Sequence, residues 1–366
     1  MKLIMDVRTL NAGIATVVKS LSSKPAIPVL EGIYLSASAE GLRLRCSDLS
    51  LQIETVVEAT VEEEGKTVVP GRIFAEMCRK LQDGTVDIRL DGRTMLLKSG
   101  RVRTTLQCAD AKDYPDMAVV GKTTSLTLPQ GAFKDMVRQT VFATAQEETK
   151  PILTGVLCEM DGSEFTTVAL DGFRLALRRF PVEGSYEHKE AVVPSKSFVE
   201  IARTLPDDEA PVEVQFSSTH LLIDMGYTRI ISRLLDGDFI RYKSILPTEH
   251  ATRVRVNRNE LLDSIDRAML LAREGNNNLV RFSVTEDSIK LFANSALGRI
   301  DEEVPIHLNG DPIEIAFNAR YFCDVLKVLD EEEVFLDMNN NVSPCVVRPV
   351  QGDAYYYLIL PVRIFA

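Results

Sequence analysis

A segment of thirteen residues recurs three times along the chain at one constant spacing. VPGRIFAEMCRKL from Val69, VPSKSFVEIARTL from Val193 and FNARYFCDVLKVL from Phe317 align without a gap, 124 residues apart. Each copy has a base, a phenylalanine, an acid, a second base and a leucine at the same positions. Because 366 residues exceed what one core usually supports, this period predicts three tandem domains of one fold.

The order of predicted elements is also the same in each third of the chain. Apolar residues three and four apart predict helices over Arg8–Ser22, Pro129–Ala145 and Asn257–Glu274, and the recurring segment predicts a second helix in each domain. Alternating runs predict strands, with tight hairpin turns at Asp91–Gly92 and Asp161–Gly162. The expected fold class is α+β, with two helices packed on a sheet in each domain. The expected domain limits are 1–122, 123–247 and 248–366.

The recurring helix is expected to have two different faces. At about 100° per residue, bases seven positions apart share one face, while the phenylalanine and leucine point to the core. In a single helix, such bases would most simply be solvated and paired with acids three or four residues away. Recurrence in all three copies instead favours a function, because solvation alone does not fix residue positions. The six bases are Arg72, Arg79, Lys196, Arg203, Arg320 and Lys327.

The charge distribution predicts a segregated electrostatic field. The net charge of −11 by itself argues against a nucleic-acid partner. The six predicted helices, however, contain 14 basic and 10 acidic residues, whereas the whole chain contains 42 and 53. A positive helical layer within a negative protein can attract a phosphate backbone at one surface and repel it elsewhere. Such contacts would be non-specific and sensitive to salt.

Catalytic and metal-binding patterns are missing from the sequence. It has no P-loop, G-x-G-x-x-G, G-x-S-x-G or H-E-x-x-H motif, and its six cysteines form no C-x-x-C pair. The acidic groups at 236–238 and 331–333 could in principle hold Mg²⁺, but they have the character of a turn and a helix exit. The sequence therefore predicts no cofactor, no metal and no enzymatic activity. No apolar run is long enough to span a membrane, so we expect a cytoplasmic protein.

Over its whole length the sequence resembles the β subunits of bacterial DNA polymerase III, the sliding clamps. The resemblance is carried by the three repeats together with AIPVL from Ala26, KSGR from Lys98, DYP from Asp113, DGFRL from Asp171, LDGDF from Leu235 and YLILPVR from Tyr357. It implies a closed ring of two subunits joined head to tail, with helices lining the hole. It also implies a clamp loader that opens the ring, and polymerases and repair factors that bind through short peptides.

The resemblance implies two sets of functional residues. DNA contacts are expected at basic residues, which comprise Lys24, Arg72, Arg79, Lys134, Arg138, Lys150, Lys196, Arg203, Arg320 and Lys327. A peptide groove is expected between the central and C-terminal domains, at Leu153, Leu170, Gly172, Phe173, Arg174, Leu175, Ile245, Leu358, Leu360, Pro361, Val362 and Arg363. From the sequence alone, the aliphatic members of this second set could equally be ordinary core.

Three positions and the C-terminal end depart from the family pattern. Thr and His are usual where Leu170 and Phe173 stand, Pro is usual at Ile240, and the chain continues past the usual end to Phe365–Ala366. These changes predict a more apolar groove that favours larger apolar peptide residues.

Ring size predicts the number of subunits. Six helices about 10 Å apart would enclose a hole of about 9 Å, whereas twelve would enclose about 28 Å. A duplex roughly 20 Å across passes only through the larger hole. A homodimer is therefore expected. Two other function classes remain open at this stage, an enzyme and a protein-interaction scaffold that does not encircle DNA.

Overall fold

The computed structural model describes residues 1–22, 24–82, 84–121, 123–147, 149–275 and 278–363. The chain divides into two compact units. Unit 1 comprises Met1–Gly131 and Glu200–Leu234, and unit 2 comprises Ala132–Val199 and Leu235–Ala366. Of the predicted domain limits, residues 122 and 366 lie outside the described residues. No helix in the described part of the chain is long and apolar enough to cross a membrane.

Six α-helices occur in the described residues, two in each repeat. Asp6, Asn257 and Asn318 begin three of them, because each side chain accepts hydrogen bonds from backbone amides of the first turn. The bounds are α1 Val7–Val17, α2 Gly71–Cys78, α3 Gln130–Arg138, α4 Ser195–Thr204, α5 Arg258–Ala272 and α6 Ala319–Val328. The boundary between the two units passes through α3 and α4.

The strands form two sheets in unit 1 and one in unit 2. The strands of the first repeat are β1 Lys2–Asp6, β2 Gly32–Ser38, β3 Gly41–Ser47, β4 Leu51–Val57, β5 Thr60–Glu63, β6 Gly65–Pro70, β7 Thr85–Asp91, β8 Thr94–Ser99 and β9 Val102–Gln107. Those of the second are β10 Thr124–Pro129, β11 Gly155–Leu170, β12 Arg174–Pro194, β13 Pro211–Phe216, β14 His220–Asp224 and β15 Thr228–Arg233. Those of the third are β16 Thr252–Asn257, β17 Leu279–Val284, β18 Ser288–Ser295, β19 Gly298–Gly310, β20 Ile313–Asn318, β21 Glu333–Met338, β22 Cys345–Pro349 and β23 Tyr355–Ile359.

The sheet orders show how consecutive repeats are joined. Unit 1 has the orders β5-β1-β7-β8-β9 and β10-β13-β14-β15-β4-β3-β2-β6, and unit 2 has β11-β12-β23-β22-β21-β16-β19-β18-β17-β20. In unit 1 the last strand of the second repeat, β15, pairs with β4 of the first. In unit 2 the last strand of the third repeat, β23, pairs with β12 of the second. Both junctions are antiparallel pairs of the same kind.

The recurring helix has the two faces that the sequence predicts. Phe74, Phe198 and Phe322 are each 0% exposed, which confirms that this position faces the core. The six cysteines are all buried and free.

Three predicted helices end earlier than expected. The segment predicted to be helical to Ala145 leaves the α-helix at Arg138, that predicted to reach Ser22 leaves it at Val17, and the recurring segment that runs to Leu81 leaves it at Cys78. After α3, the Thr140 hydroxyl donates to the carbonyl of Met136 and the Thr144 hydroxyl to that of Val141. These side-chain bonds compete with the backbone ladder and favour the short 3₁₀ turn that follows.

One predicted hairpin turn is wrong. Gly92 has a φ of +56° and lies in the predicted tight turn between β7 and β8. Asp161–Gly162 instead lies inside the long strand β11, where the register with β12 shifts on both sides of Gly162. Gly162, which suggested a turn, has a positive φ at an irregularity in the strand pair, and glycine is common at such places within sheets.

Candidate binding groove and basic helix faces

The predicted groove residues all belong to unit 2 and divide into two layers. A buried layer consists of four leucines, each at most 5% exposed, in a hydrophobic cluster with Tyr242 and Val346. These four are Leu153, Leu170, Leu175 and Leu358. The ordinary-core reading therefore holds for these four leucines, and their part in a peptide groove stays a prediction.

The exposed layer is centred on Phe173 and Leu360. Phe173 is 60% exposed and Leu360 is 37% exposed, and the Leu360 amide donates to the Phe173 carbonyl at 2.9 Å. Ile245 is 47% exposed in a 3₁₀ turn whose Tyr242 packs into the buried cluster. The remaining members are the half-buried Pro361 and Val362 and the exposed Gly172 and Arg363. Ile240, where the family usually has Pro, is 38% exposed. Phe365–Ala366 lies outside the described residues.

A tight turn presents Phe173 to solvent. The Asp171 carboxylate accepts hydrogen bonds from the amides of Phe173 and Arg174, and Gly172 adopts a φ of +91° that other residues rarely adopt. The Phe173 ring stacks on Tyr321 with centroids 6.4 Å apart and planes 22° apart. The result is an aromatic surface beside Leu360.

Arg174, one of the predicted groove residues, is bound by partners within the chain. Its guanidinium donates to Asp171 at 3.0 Å, to Asp324 at 2.6 Å and to the Phe142 carbonyl at 2.7 Å, and it stacks 4.6 Å from the Tyr321 ring. The side chain is 11% exposed. Its contacts make it a positioning residue that ties α6 to the turn carrying Phe173.

The six predicted helix bases are all exposed, but they differ in their partners. Arg72 pairs with Glu76, Arg203 with Glu200 and Lys327 with Asp266, at 3.3, 2.7 and 3.1 Å. The expected pairing with an acid three or four residues away therefore holds for Arg72 and Arg203, whereas Lys327 pairs with an acid of α5. Among the described residues, no carboxylate lies within ion-pair distance of the other three, which are Arg79, Lys196 and Arg320.

The other predicted DNA contacts occupy different surroundings. Lys24 and Lys150 are exposed in loops, and Lys134 is half-buried on α3. Arg138 is bound by two carboxylates, Asp135 at 3.0 Å and Asp330 at 2.9 Å. Burial lowers the pKa of Arg138, but the two carboxylates outweigh it and raise that pKa. Arg138 is thus held by two carboxylates within the chain.

One group of potential metal ligands was missed by sequence reasoning, because His188 lies on a different strand from Glu159 and Asp161. Glu159, Asp161 and His188 bring three ligand atoms within 4.8 Å of one another in the described part of the chain. The Glu159 oxygens already accept hydrogen bonds from the Tyr242 hydroxyl and from Lys243. The buried carboxylate is therefore neutralised by a lysine within the chain, which leaves a poor cation site. Sequence reasoning also missed Tyr321, although the recurring segment differs at this position, with Ile73, Ser197 and Tyr321 in its three copies.

Comparison with known proteins identifies one family along the chain. Family models described as DNA polymerase III beta subunit match residues 1–118 as the N-terminal domain, 127–240 as the central domain and 243–363 as the C-terminal domain. The beta sliding clamp of Bacillus subtilis is 33% identical, with all of both chains covered, and that of Staphylococcus aureus is 31% identical over 95% of each.

Solved structures of similar fold cover the same length. The crystal structure of the DNA polymerase sliding clamp from Bacillus subtilis matches with a TM-score of 0.95 at 33% identity, covering 100% of each chain. A sliding clamp from Pseudomonas aeruginosa bound to griselimycin also matches with a TM-score of 0.95, at 28% identity and with 100% of each chain covered.

Proposed function

Because the chain belongs to the DNA polymerase III beta subunit family, the beta sliding clamps, we propose that two copies close head to tail into a ring around duplex DNA. The protein is a non-enzymatic DNA sliding clamp with three copies of the clamp domain, whose partners are DNA and DNA polymerases. Homodimerisation, ring opening by a clamp loader and binding of repair factors are the further parts of the proposal. So are the domain limits 1–122, 123–247 and 248–366, and a location in the cytoplasm, where bacterial DNA lies.

The observation that supports the dimer is that two strands each have one free edge in the described residues. In the described residues, β9 pairs only with β8 and ends its sheet, and residues 298–304 of β19 pair only with β18. β9 is the last strand of its repeat, and β19 takes the place in the third repeat that β4 and β12 take in the first two. Exposed edges of this kind invite pairing with another chain. Two copies would therefore repeat between molecules the junction that each already contains twice.

The two existing junctions fix the register of the proposed one. Glu54, the fourth residue of β4, lies opposite Arg229, the second residue of β15. Likewise Leu177, fourth in β12, lies opposite Tyr356, second in β23. The same rule places Asp301, fourth in β19, opposite Arg103, second in β9 of the partner copy. Both side chains are exposed, and their opposite charges suit a cross-strand pair.

Exposed apolar residues lie where this junction would cover them. The third residue of the recurring helix is buried in α4, as Ser197, and half-buried in α6, as Tyr321, but Ile73 in α2 is 56% exposed. Ile73 also borders a cavity of about 650 Å³ in unit 1. On α5 and in the turn before β19, Leu270 and Leu297 are 61% and 75% exposed. Burial of such side chains would supply part of the association free energy.

The exposed bases of the recurring helix are proposed to face the duplex. Lysine and arginine contacts to phosphates give affinity without sequence readout, which a protein that slides along DNA requires. Arg79, Lys196 and Arg320 have no carboxylate partner in the described residues, so they are the bases most available to phosphates.

The groove of unit 2 is proposed to bind short peptides of polymerases and repair factors. A peptide of a few residues can bind only if its apolar side chains enter a preformed surface, because ordering it is costly. Phe173, Ile245 and Leu360 provide such a surface above the buried leucines. The Phe173–Tyr321 stack favours an aromatic or other large apolar residue of the peptide.

A loading assay tests the proposal. The full chain, a clamp loader from a related bacterium, ATP and nicked circular plasmid are passed over a sizing column in about 0.5 M salt, at which simple electrostatic contacts are weak. A clamp elutes with the plasmid only when loader and ATP are present. Elution with the plasmid to the same extent without the loader, or never, would refute it.

A further inference from the structure

Four buried hydrogen-bond donors without a protein partner lie together in unit 2. They are Nε and Nη1 of Arg178 and the hydroxyl groups of Tyr355 and Tyr357. In the described residues, seven buried side-chain atoms lack a hydrogen-bond partner, so this one cluster contains more than half of them. Native proteins pair more than about nine in ten buried polar groups with protein, water or ions. The concentration of orphan donors at one place therefore points to a ligand.

Strand pairing brings the three side chains together. Arg178 on β12 lies directly opposite Tyr355 on β23, and the rings of Tyr355 and Tyr357 are 5.3 Å apart. The tyrosines are 1% and 0% exposed. The ring of Phe142, which follows α3, contacts Tyr357 with centroids 6.0 Å apart. The cluster is thus on the face of the sheet opposite the leucine floor of the groove.

The neighbouring charged groups are engaged elsewhere. Glu331 is exposed, and its carboxylate accepts from the Asp330 amide. Arg258 donates to the carbonyls of Leu326 and Glu331. Burial raises the pKa of both Tyr355 and Tyr357, so their hydroxyls stay neutral donors, although the positive charge of Arg178 acts in the opposite direction. No carboxylate in the described part of the chain lies within ion-pair distance of Arg178.

We propose that Arg178, Tyr355 and Tyr357 form a binding site for a small monovalent anion such as chloride. A guanidinium whose Nε and Nη1 atoms are buried needs an opposite charge as well as hydrogen-bond acceptors, and a water molecule supplies only the second. A DNA phosphate is too large to reach these buried atoms, whereas a free ion would enter along the half-buried Arg178 side chain. The anion would stabilise the β12–β23 pair, which joins the second and third repeats beneath the groove.

Thermal unfolding of the full chain tests the site. The melting temperature is measured in sodium chloride and in sodium gluconate at equal ionic strength, since gluconate is too large for the site. Chloride is expected to raise the melting temperature of the natural protein by about 2 °C or more. The Arg178→Met variant should lose this difference, because it no longer needs a counter-ion.

Arg179→Met is the matched control. Arg179 is the next residue along β12, and its guanidinium pairs with Glu164 and Asp353. This variant should keep the full chloride effect. An equal chloride effect in Arg178→Met and the natural protein, or no effect in the natural protein, would overturn the proposal.

Bromide soaked into crystals of the natural protein gives a readout that does not depend on a variant folding. An anomalous peak within hydrogen-bond distance of the Arg178 guanidinium and both tyrosine hydroxyls is expected. Ordinary water density without an anomalous peak would overturn the proposal.

Discussion

Two nearby leucines of the groove should have different roles, one in folding stability and the other in peptide binding. Leu358 is 5% exposed within the hydrophobic cluster, whereas Leu360, two residues later, is 37% exposed. Strand alternation alone would place these two side chains on the same face, but β23 ends at Ile359 and Leu360 lies just beyond it, where the chain leaves the sheet. The first residue should therefore matter mainly for folding and the second mainly for peptide binding.

Leu360→Ala should weaken a fluorescent client peptide by at least about tenfold, because an apolar anchor at an interface contributes about 1 to 3 kcal/mol. Fluorescence anisotropy measures this change. Val342→Ala, an apolar change at a still more exposed position elsewhere in unit 2, should leave affinity unchanged. Leu358→Ala should instead lower the free energy of unfolding by about 2 to 5 kcal/mol. Normal peptide binding by Leu360→Ala would place the client site elsewhere.

Phe173→Ala should reduce affinity about five- to tenfold for a peptide with an aromatic residue at the groove, and less for an aliphatic one. Titration calorimetry with the two peptides measures the difference. Tyr227→Ala is a matched control, because Tyr227 is 58% exposed in a similar turn of unit 1 after a glycine with positive φ. Equal losses for both peptides would remove Phe173 as a determinant of specificity.

At the scale of elements, sequence periodicity predicted the core face of the recurring helices well. It predicted the end of α3 and the conformation at Gly162 less well. The buried phenylalanines follow directly from helical spacing. The early end of α3 depends on threonine hydroxyls that bond to the helix backbone, and the irregularity at Gly162 depends on its pairing with β12. Both are decided by contacts that residue spacing does not contain.

The bases of the recurring helix can be divided by their partners. Replacing the three unpaired bases by Ala should lower the salt dependence of DNA affinity and shorten retention, because fewer phosphates are neutralised and fewer counter-ions are released. The residues replaced are Arg79, Lys196 and Arg320. Retention on circular DNA at several salt concentrations measures the effect. Removing three exposed strand bases, Lys66, Arg89 and Lys290, should have little effect. Equal retention by the two triple variants would mean that the helix bases do not face DNA.

The proposed strand junction predicts a charge-reversal pattern. Arg103→Glu places two acids opposite each other and should weaken dimerisation at least tenfold, since like charges across an interface are costly. Asp301→Arg should do the same, and the double variant should restore the dimer. Analytical ultracentrifugation gives the dissociation constants. Arg281→Glu, the same charge change two strands from β19, should remain dimeric. Failure of the double variant to recover would contradict the proposed register.

At the scale of the whole molecule, three internal repeats predicted the fold class, and the repeats together with the six short motifs predicted the family. Buried and unpaired groups were not predictable in the same way. Arg178 and the tyrosines of β23 come together only through pairing between strands from different repeats, and Glu159 finds Lys243 across 84 residues. A single sequence shows which residues recur, but it does not show which strands of successive repeats will be neighbours.

If the protein holds DNA by enclosing it, it should leave the DNA through free ends. Labelled protein is loaded on a nicked circular plasmid with clamp loader and ATP, free protein and loader are removed, and the plasmid is then cut once. A protein that encloses DNA should stay on the circular plasmid, leave rapidly after cutting, and stay on cut DNA whose ends are blocked by bulky protein. Equal dissociation from circular and open-ended linear DNA would contradict it.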